Sequence, residues 1–177
     1  MEHAADPDLV RDARRGDEAA FTSLLRPLLE PAYRLAAGML QDRQLAEDAV
    51  QEAAVKAWRK MHQLREGTEM QPWFFGIVAN ECRTTRRSRW WSVLKVDAER
   101  RSAEAPQDQA LRGIDLRNAL KRLRPEQRLV VVLYFYLDLP LEQIATITNA
   151  SSAAARGRLY RGIRELKADF PISEAQT

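Results

Sequence analysis

The chain has 177 residues, 45% of them apolar, enough to bury one or two small cores, and its seven glycines and eight prolines exclude a collagenous or low-complexity chain. The formal net charge of +3 hides an asymmetry: residues 1–55 hold eleven acids and six bases, so the remainder carries +8, which points to an acidic face for a protein partner and basic faces for a polyanion. No apolar run approaches the roughly 20 residues that span a bilayer, the acidic start "MEHAADPDLV" lacks the apolar core of a secretory signal, and the single cysteine, Cys82, excludes an intrachain disulfide; a cytoplasmic protein without membrane insertion is expected.

Helical patterns follow one another along the chain. Asp17 precedes "EAAFTSLLRPLLEPAYRLAAGML", where Phe21, Leu24, Leu25 and Leu28 recur at helical spacing. Pro27 and Pro31 predict a kink or a break in it. Asp42 can cap a second, alanine-rich helix, "RQLAEDAVQEAAVKAWRKM". The polar "HQLREGTEMQ" reads as a loop, and Pro72 opens a third helix, "PWFFGIVANECRTTRRSRWW". The charged "VDAERRSAEAPQDQA" (Val96–Ala110) has no apolar stripe and reads as a flexible linker. Helical pattern resumes with Leu116, Leu120 and Leu123 on one side, and Pro125 starts the next helix. "LVVVLYFYLDL" (Leu129–Leu139) has the β-branched and aromatic content of a strand. It is read as a buried helix, because its neighbours are helical and no partner strand is evident. Pro140 starts "LEQIATIT", and Asn149 suits a left-handed turn. The last helix runs from about Ser152 to Asp169, with Ser151 or Ser152 as its cap. The fold class is therefore all-α: two small helical domains, 1–92 and 110–177, joined by a linker over 93–109.

On the last helix Ala155, Leu159, Ile163 and Leu166 form an apolar stripe, while Arg156, Tyr160, Arg161 and Arg164 point elsewhere. Between Arg156 and Lys167 lie five basic residues and one acid. Two short helices joined by a tight turn form a helix-turn-helix, whose second helix enters the major groove. A solvated basic face is the alternative at this point.

"AEDAVQEAAVKAWRKM" resembles a signature of bacterial sigma factors, the promoter-recognition subunits of RNA polymerase, through Asp48, Gln51, Glu52 and Trp58. Asp48, Gln51 and Glu52 fall at i, i+3 and i+4, on one helix face. The next helix is similar to the following region of that family, through Trp73, Phe75, Ile77 and Asn80 and then Arg83, Arg86, Arg87 and Arg89. Leu123–Lys167 looks like the family's C-terminal helix-turn-helix, with Arg124 in place of the usual proline. Ala54 stands where the family has a large aromatic residue. Ala154 and Gly157 replace two hydroxyl residues, and Gly157 costs the helix roughly 1 kcal/mol relative to alanine. The length resembles the extracytoplasmic-function (ECF) class.

The resemblance implies a docking set for the polymerase β′ subunit of Asp48, Gln51, Glu52 and Val55. It implies a −10 promoter set of Asn80, Arg83, Arg86, Arg87, Trp73 and Leu64, with Trp90 and Trp91 as further stacking candidates. It implies a −35 set of Arg156, Gly157, Arg158, Tyr160 and Arg161, and an anti-sigma factor as a further partner. A stand-alone helix-turn-helix regulator is the alternative. His3 and His62, the two histidines, make no metal set with one cysteine. No glycine-rich phosphate loop and no catalytic constellation occurs, so neither cofactor, small-molecule substrate nor enzyme activity is expected. Cys82 reads as a small packed residue, with a reactive thiol as the alternative.

Overall fold

The computed structural model describes residues 7–65, 67–96 and 111–169. Among them every regular element is helical, as expected: α1 (Pro7–Arg14), α2 (Glu18–Leu40), α3 (Arg43–Lys60), α4 (Met70–Val96), α5 (Leu111–Arg122), α6 (Pro125–Val131), α7 (Leu141–Ile147) and α8 (Ser152–Asp169). A 3₁₀ turn covers Met61–Gln63 and a π turn covers Val132–Tyr136. None of these helices is long and apolar enough to cross a membrane. Of the predicted linker over 93–109, residues 93–96 are helical instead, because α4 runs on to Val96, and the rest lies outside the described residues.

Helices α2, α3 and α4 pack on one another, and α1 lies on α2. The caps are those the sequence signals: Asp17 accepts from the Ala20 N–H at 2.9 Å, and Asp42 from the Leu45 N–H at 3.1 Å. Alanines 46, 49, 53 and 57 are buried along α3, and their small side chains let the three helices approach closely. Phe74 and Phe75 of α4 fill the centre with Leu35 and Met39 of α2. Trp58 packs on Phe21 with ring centroids 5.0 Å apart.

Contrary to expectation, α2 runs unbroken through Pro27 and Pro31. The prolines lie one turn apart, away from the buried stripe of Leu24, Leu25, Ala32, Leu35 and Ala36. The carbonyls that lose an N–H donor there face solvent, and core packing holds the helix together. Helix α4 starts at Met70, earlier than expected, with Pro72 inside its first turn, where a missing N–H is harmless. The expected polar loop before it is anchored by Met61, Leu64 and Met70, all in the core.

The second unit builds on α6. Leu129–Leu133 are buried, so the strand-like run is a helix. Its aromatic end is not buried, however: Phe135 and Tyr136 are 61% and 60% exposed. The reason is the π turn, where the Leu137 N–H reaches back five residues to the Val132 carbonyl at 3.2 Å. Arg124 takes the φ −57°, ψ 145° backbone that the absent proline would favour. Its N–H also donates to Gln127 Oε1 at 3.0 Å, a bond no proline could make. Helix α6 lies between α2 and α8. A Cβ added at Gly38 of α2 would meet both Val132 methyls at 2.9 Å, and one at Gly162 of α8 would meet Val131 Cγ2 at 2.8 Å. The two glycines thus let both neighbours close on consecutive valines.

Arg128 ties these parts together. Its guanidinium donates to the Leu120 carbonyl at 2.6 Å, Lys121 at 2.7 Å, Leu123 at 3.4 Å and, across to α2, Met39 at 3.0 Å. At the end of α2 the Gln41 N–H bonds the Ala37 carbonyl and its side-chain amide bonds that of Gly38, so Arg128 completes the capping. Burial pushes the Arg128 guanidinium down to about 10, with the Arg86 charge adding to the shift, and it remains charged at neutral pH. The ends of two helix dipoles offset part of the cost of burying that charge. Replacing Arg128 with Met orphans these carbonyls, and we expect a loss of about 3 kcal/mol or more, read as a lower urea midpoint. An unchanged midpoint would show that water replaces the guanidinium.

Candidate nucleic-acid interface

Asp48, Gln51, Glu52 and Val55 are all exposed on α3, on the side opposite its buried alanines. Asp48 accepts from Gln44 at 3.1 Å. Lys56 Nζ lies 3.4 Å from Glu52 and 2.6 Å from Glu81 of α4, and the Glu81 hydrogen bond holds the ammonium above its ordinary range. This bridge fixes the acidic face of α3 relative to α4. The sequence reading missed Lys56 and Glu81, because the pairing depends on which faces of α3 and α4 meet. Ala54 is half-buried against the core, so the position of the family's aromatic residue is used for packing here.

On α4, Asn80 and Arg87 are exposed and Arg83 and Arg86 are half-buried. Arg83 Nη1 donates to Asn80 Oδ1 at 2.8 Å, so these two act as one group. Two of the expected contacts sit elsewhere. Leu64 is 2% exposed and belongs to the core, because the loop that carries it is tied down by apolar side chains. Trp73 is half-buried and packs against the same core. The side chains of Arg89, Trp90 and Trp91 lie outside the described ones.

The helix-turn-helix forms from α7 and α8. The turn is closed by the Ala150 N–H on the Ala145 carbonyl at 2.9 Å, with Asn149 left-handed at φ 49°. Ser151 is the cap of α8, accepting from the Ala154 N–H at 3.1 Å. Ala155 and Leu159 are buried, while Arg156, Tyr160, Arg161 and Arg164 are exposed together. Tyr160 is 65% exposed, a large aromatic ring left to solvent on the same helix as the arginines. At Gly157 a Cβ would meet the Arg161 guanidinium at 3.4 Å, so the glycine gives that side chain room over the helix. Arg158 does not share the exposed face: it turns inward, with Nη1 3.8 Å from Glu126 Oε2 of α6. The same carboxylate oxygen lies 3.2 Å from Arg83 Nη2. Glu126 carries no sequence signal beyond its place in the first turn of α6.

Comparison with known proteins follows these surfaces. The sigma-70 region 2 model matches residues 24–92, and a sigma-70 region 4 model matches residues 114–166. The chain is 30% identical over 171 residues to the RNA polymerase sigma factor CarQ of Myxococcus xanthus, covering 92% of this chain and 98% of CarQ. It is 31% identical over 163 residues to the ECF RNA polymerase sigma factor SigE of Mycolicibacterium smegmatis, covering 86% of this chain but 63% of that relative's length. Among solved structures, the sigma factor RpoE of Bartonella quintana, in complex with the anti-sigma factor NepR, matches with a TM-score of 0.73 at 24% identity, over 87% of this chain and 98% of that one. CnrH, in complex with the cytosolic domain of CnrY, matches with a TM-score of 0.74 at 22% identity, over 96% and 99%. Both share the fold.

Cys82 lies in the middle of α4, fully buried. Its thiol is pushed up to about 12, first by burial and then by the Glu81 charge. At about pH 8 it is protonated as well as inaccessible. A thiol-reactive dye is expected to label it only after denaturation; rapid labelling of the native chain would show that α4 opens locally.

Proposed function

Because the chain belongs to the extracytoplasmic-function sigma factors of bacterial RNA polymerase, we propose that it brings core polymerase to promoters through one docking face and two DNA-reading surfaces. One observation carries the reading: a single chain holds both an exposed acidic and polar face on α3 and a helix-turn-helix with exposed arginines. A stand-alone regulator needs only the second, so the alternative is not favoured. The protein acts without catalysing a reaction of its own; its work is recognition.

In this reading Asp48, Gln51, Glu52 and Val55 contact the β′ subunit. Asn80, Arg83, Arg86 and Arg87 receive the −10 element, where a basic groove suits a single strand. Arg156, Tyr160 and Arg161 read the −35 element from the major groove. Gly157 serves by giving Arg161 room. The functional domains extend over 1–92 and 110–177. Control by an anti-sigma factor belongs to the same proposal. It is supported by the two complexes above and by an apolar groove of about 770 Å³ between α2, α5 and α6, edged by Leu116, Phe135 and Tyr136.

The first test is run-off transcription with sigma-free core polymerase on genomic fragments, including the region upstream of the chain's own gene. A new, discrete start site is expected. Specific duplex binding without initiation would favour the regulator instead. Two substitutions refine the test. Glu52→Arg is expected to abolish capture of core polymerase with only a small fall in the thermal midpoint, from the like charge it sets beside Lys56. Arg161→Ala is expected to cost about 1–3 kcal/mol of binding to the mapped promoter, in competition assays with −35 variants. If each of these variants behaves as the unaltered chain does, the surface concerned is wrongly assigned.

A further inference from the structure

The two helical units do not stand apart. Helix α7 packs on α4, and α6 with its π turn packs on α2. The seam is close: Gly38 lies against the Val132 methyls, and a Cβ at Gly76 of α4 would come within 3.7 Å of the Ile147 carbonyl. At this seam Glu126 Oε2 faces Arg83 of α4 at 3.2 Å and Arg158 of α8 at 3.8 Å. Arg83 in turn holds Asn80. One carboxylate thus engages an arginine from each of the two helices assigned to DNA.

Two guanidinium groups around a single anionic oxygen form the arrangement that would also hold a nucleic-acid phosphate. Arg158 Nη1 is buried and makes no hydrogen bond among the described residues, so its ordinary donor geometry is unused in this arrangement. The side chains of Arg83, Glu126 and Arg158 are 31%, 44% and 28% exposed, so the pairing is open to displacement by a stronger anion.

We propose that Glu126 is an intramolecular competitor of nucleic-acid phosphate: by holding Arg83 across the seam, beside Arg158 of its own unit, it makes docking of the two units and DNA binding mutually exclusive. The proposal rests on the reading of α4 and α8 as DNA-binding helices. The apolar seam supplies most of the holding, and Glu126 makes it responsive to anions. Polyanion binding opens the molecule, and closure withdraws Arg83 from DNA.

The test uses the full chain carrying Lys60→Cys and Lys167→Cys, which place a donor and an acceptor dye on the two units while Cys82 stays buried. The DNA probe is a labelled duplex of about 40 base pairs of random sequence, at low salt, where phosphate contacts dominate. Adding duplex is expected to lower energy transfer. Glu126→Gln is expected to lower it without DNA and to raise duplex affinity about 2- to 5-fold, the change equivalent to one partly exposed ion pair. Gly38→Leu, which changes no charge, is expected to raise affinity too, by wedging the seam open against Val132. A rise with Glu126→Gln alone would be general charge relief and would overturn the proposal. So would duplex binding that leaves energy transfer unchanged, a readout that does not depend on either variant folding. Run-off transcription on the unaltered chain separates the two levels: initiation with an unresponsive seam removes this inference alone, whereas no initiation removes the sigma-factor reading, and the dye measurement still decides whether polyanions open the molecule.

Discussion

Arg128 ends two helices at once, and much of the second unit depends on it. A helix leaves its last carbonyls without donors, and burying them unpaired is costly. Here α5 and α2 both bring such carbonyls to the same point, and one planar guanidinium donates to them all. A lysine has the charge but not the fork, so it could not span carbonyls from two helices. The same residue fixes α5 to α6 and contacts α2. The interior of one unit and the seam with the other therefore share a support.

The legible part of the fold was the part set by local chemistry. Asp17 and Asp42 announce their helices, as does the Ser151–Ser152 pair of which Ser151 is the cap, because a short polar side chain before an apolar periodic stretch has little else to do. Asn149 marked the turn between α7 and α8 for a similar reason. The misread parts were those where packing overrules local preference. Pro27 and Pro31 would break an isolated helix, yet their solvent-facing position lets α2 continue. Leu129–Leu133 form the buried helix expected of them, with two glycines on neighbouring helices making room for their branched side chains, but the aromatic end expected to be buried with them is exposed. Leu64 looked like part of a surface loop, and only the burial of Met61 and Met70 beside it shows that the loop is tied to the core.

The surfaces were legible in composition and less so in grouping. The sequence placed Asp48, Gln51 and Glu52 on one face by spacing alone. It also separated Arg156, Tyr160 and Arg161 from the apolar stripe of α8. It could not show that Arg158 turns inward, because that depends on a carboxylate 32 positions earlier in the chain. Nor could it show the Lys56–Glu81 bridge, which needs α3 and α4 to meet at a particular rotation. Long-range charge pairing of this kind leaves no periodic trace.

The π turn at Val132–Tyr136 has a consequence for chain length. Its five-residue hydrogen bond encloses one residue more than an α-helical turn requires. That surplus lies among Tyr134, Phe135 and Tyr136, on the solvent side, while Leu133 before it and Leu139 after it stay in the core. The chain can therefore shorten here by one residue and regain an ordinary turn, with its buried anchors in register. Deletions that would be ruinous elsewhere in α6 become tolerable at this point.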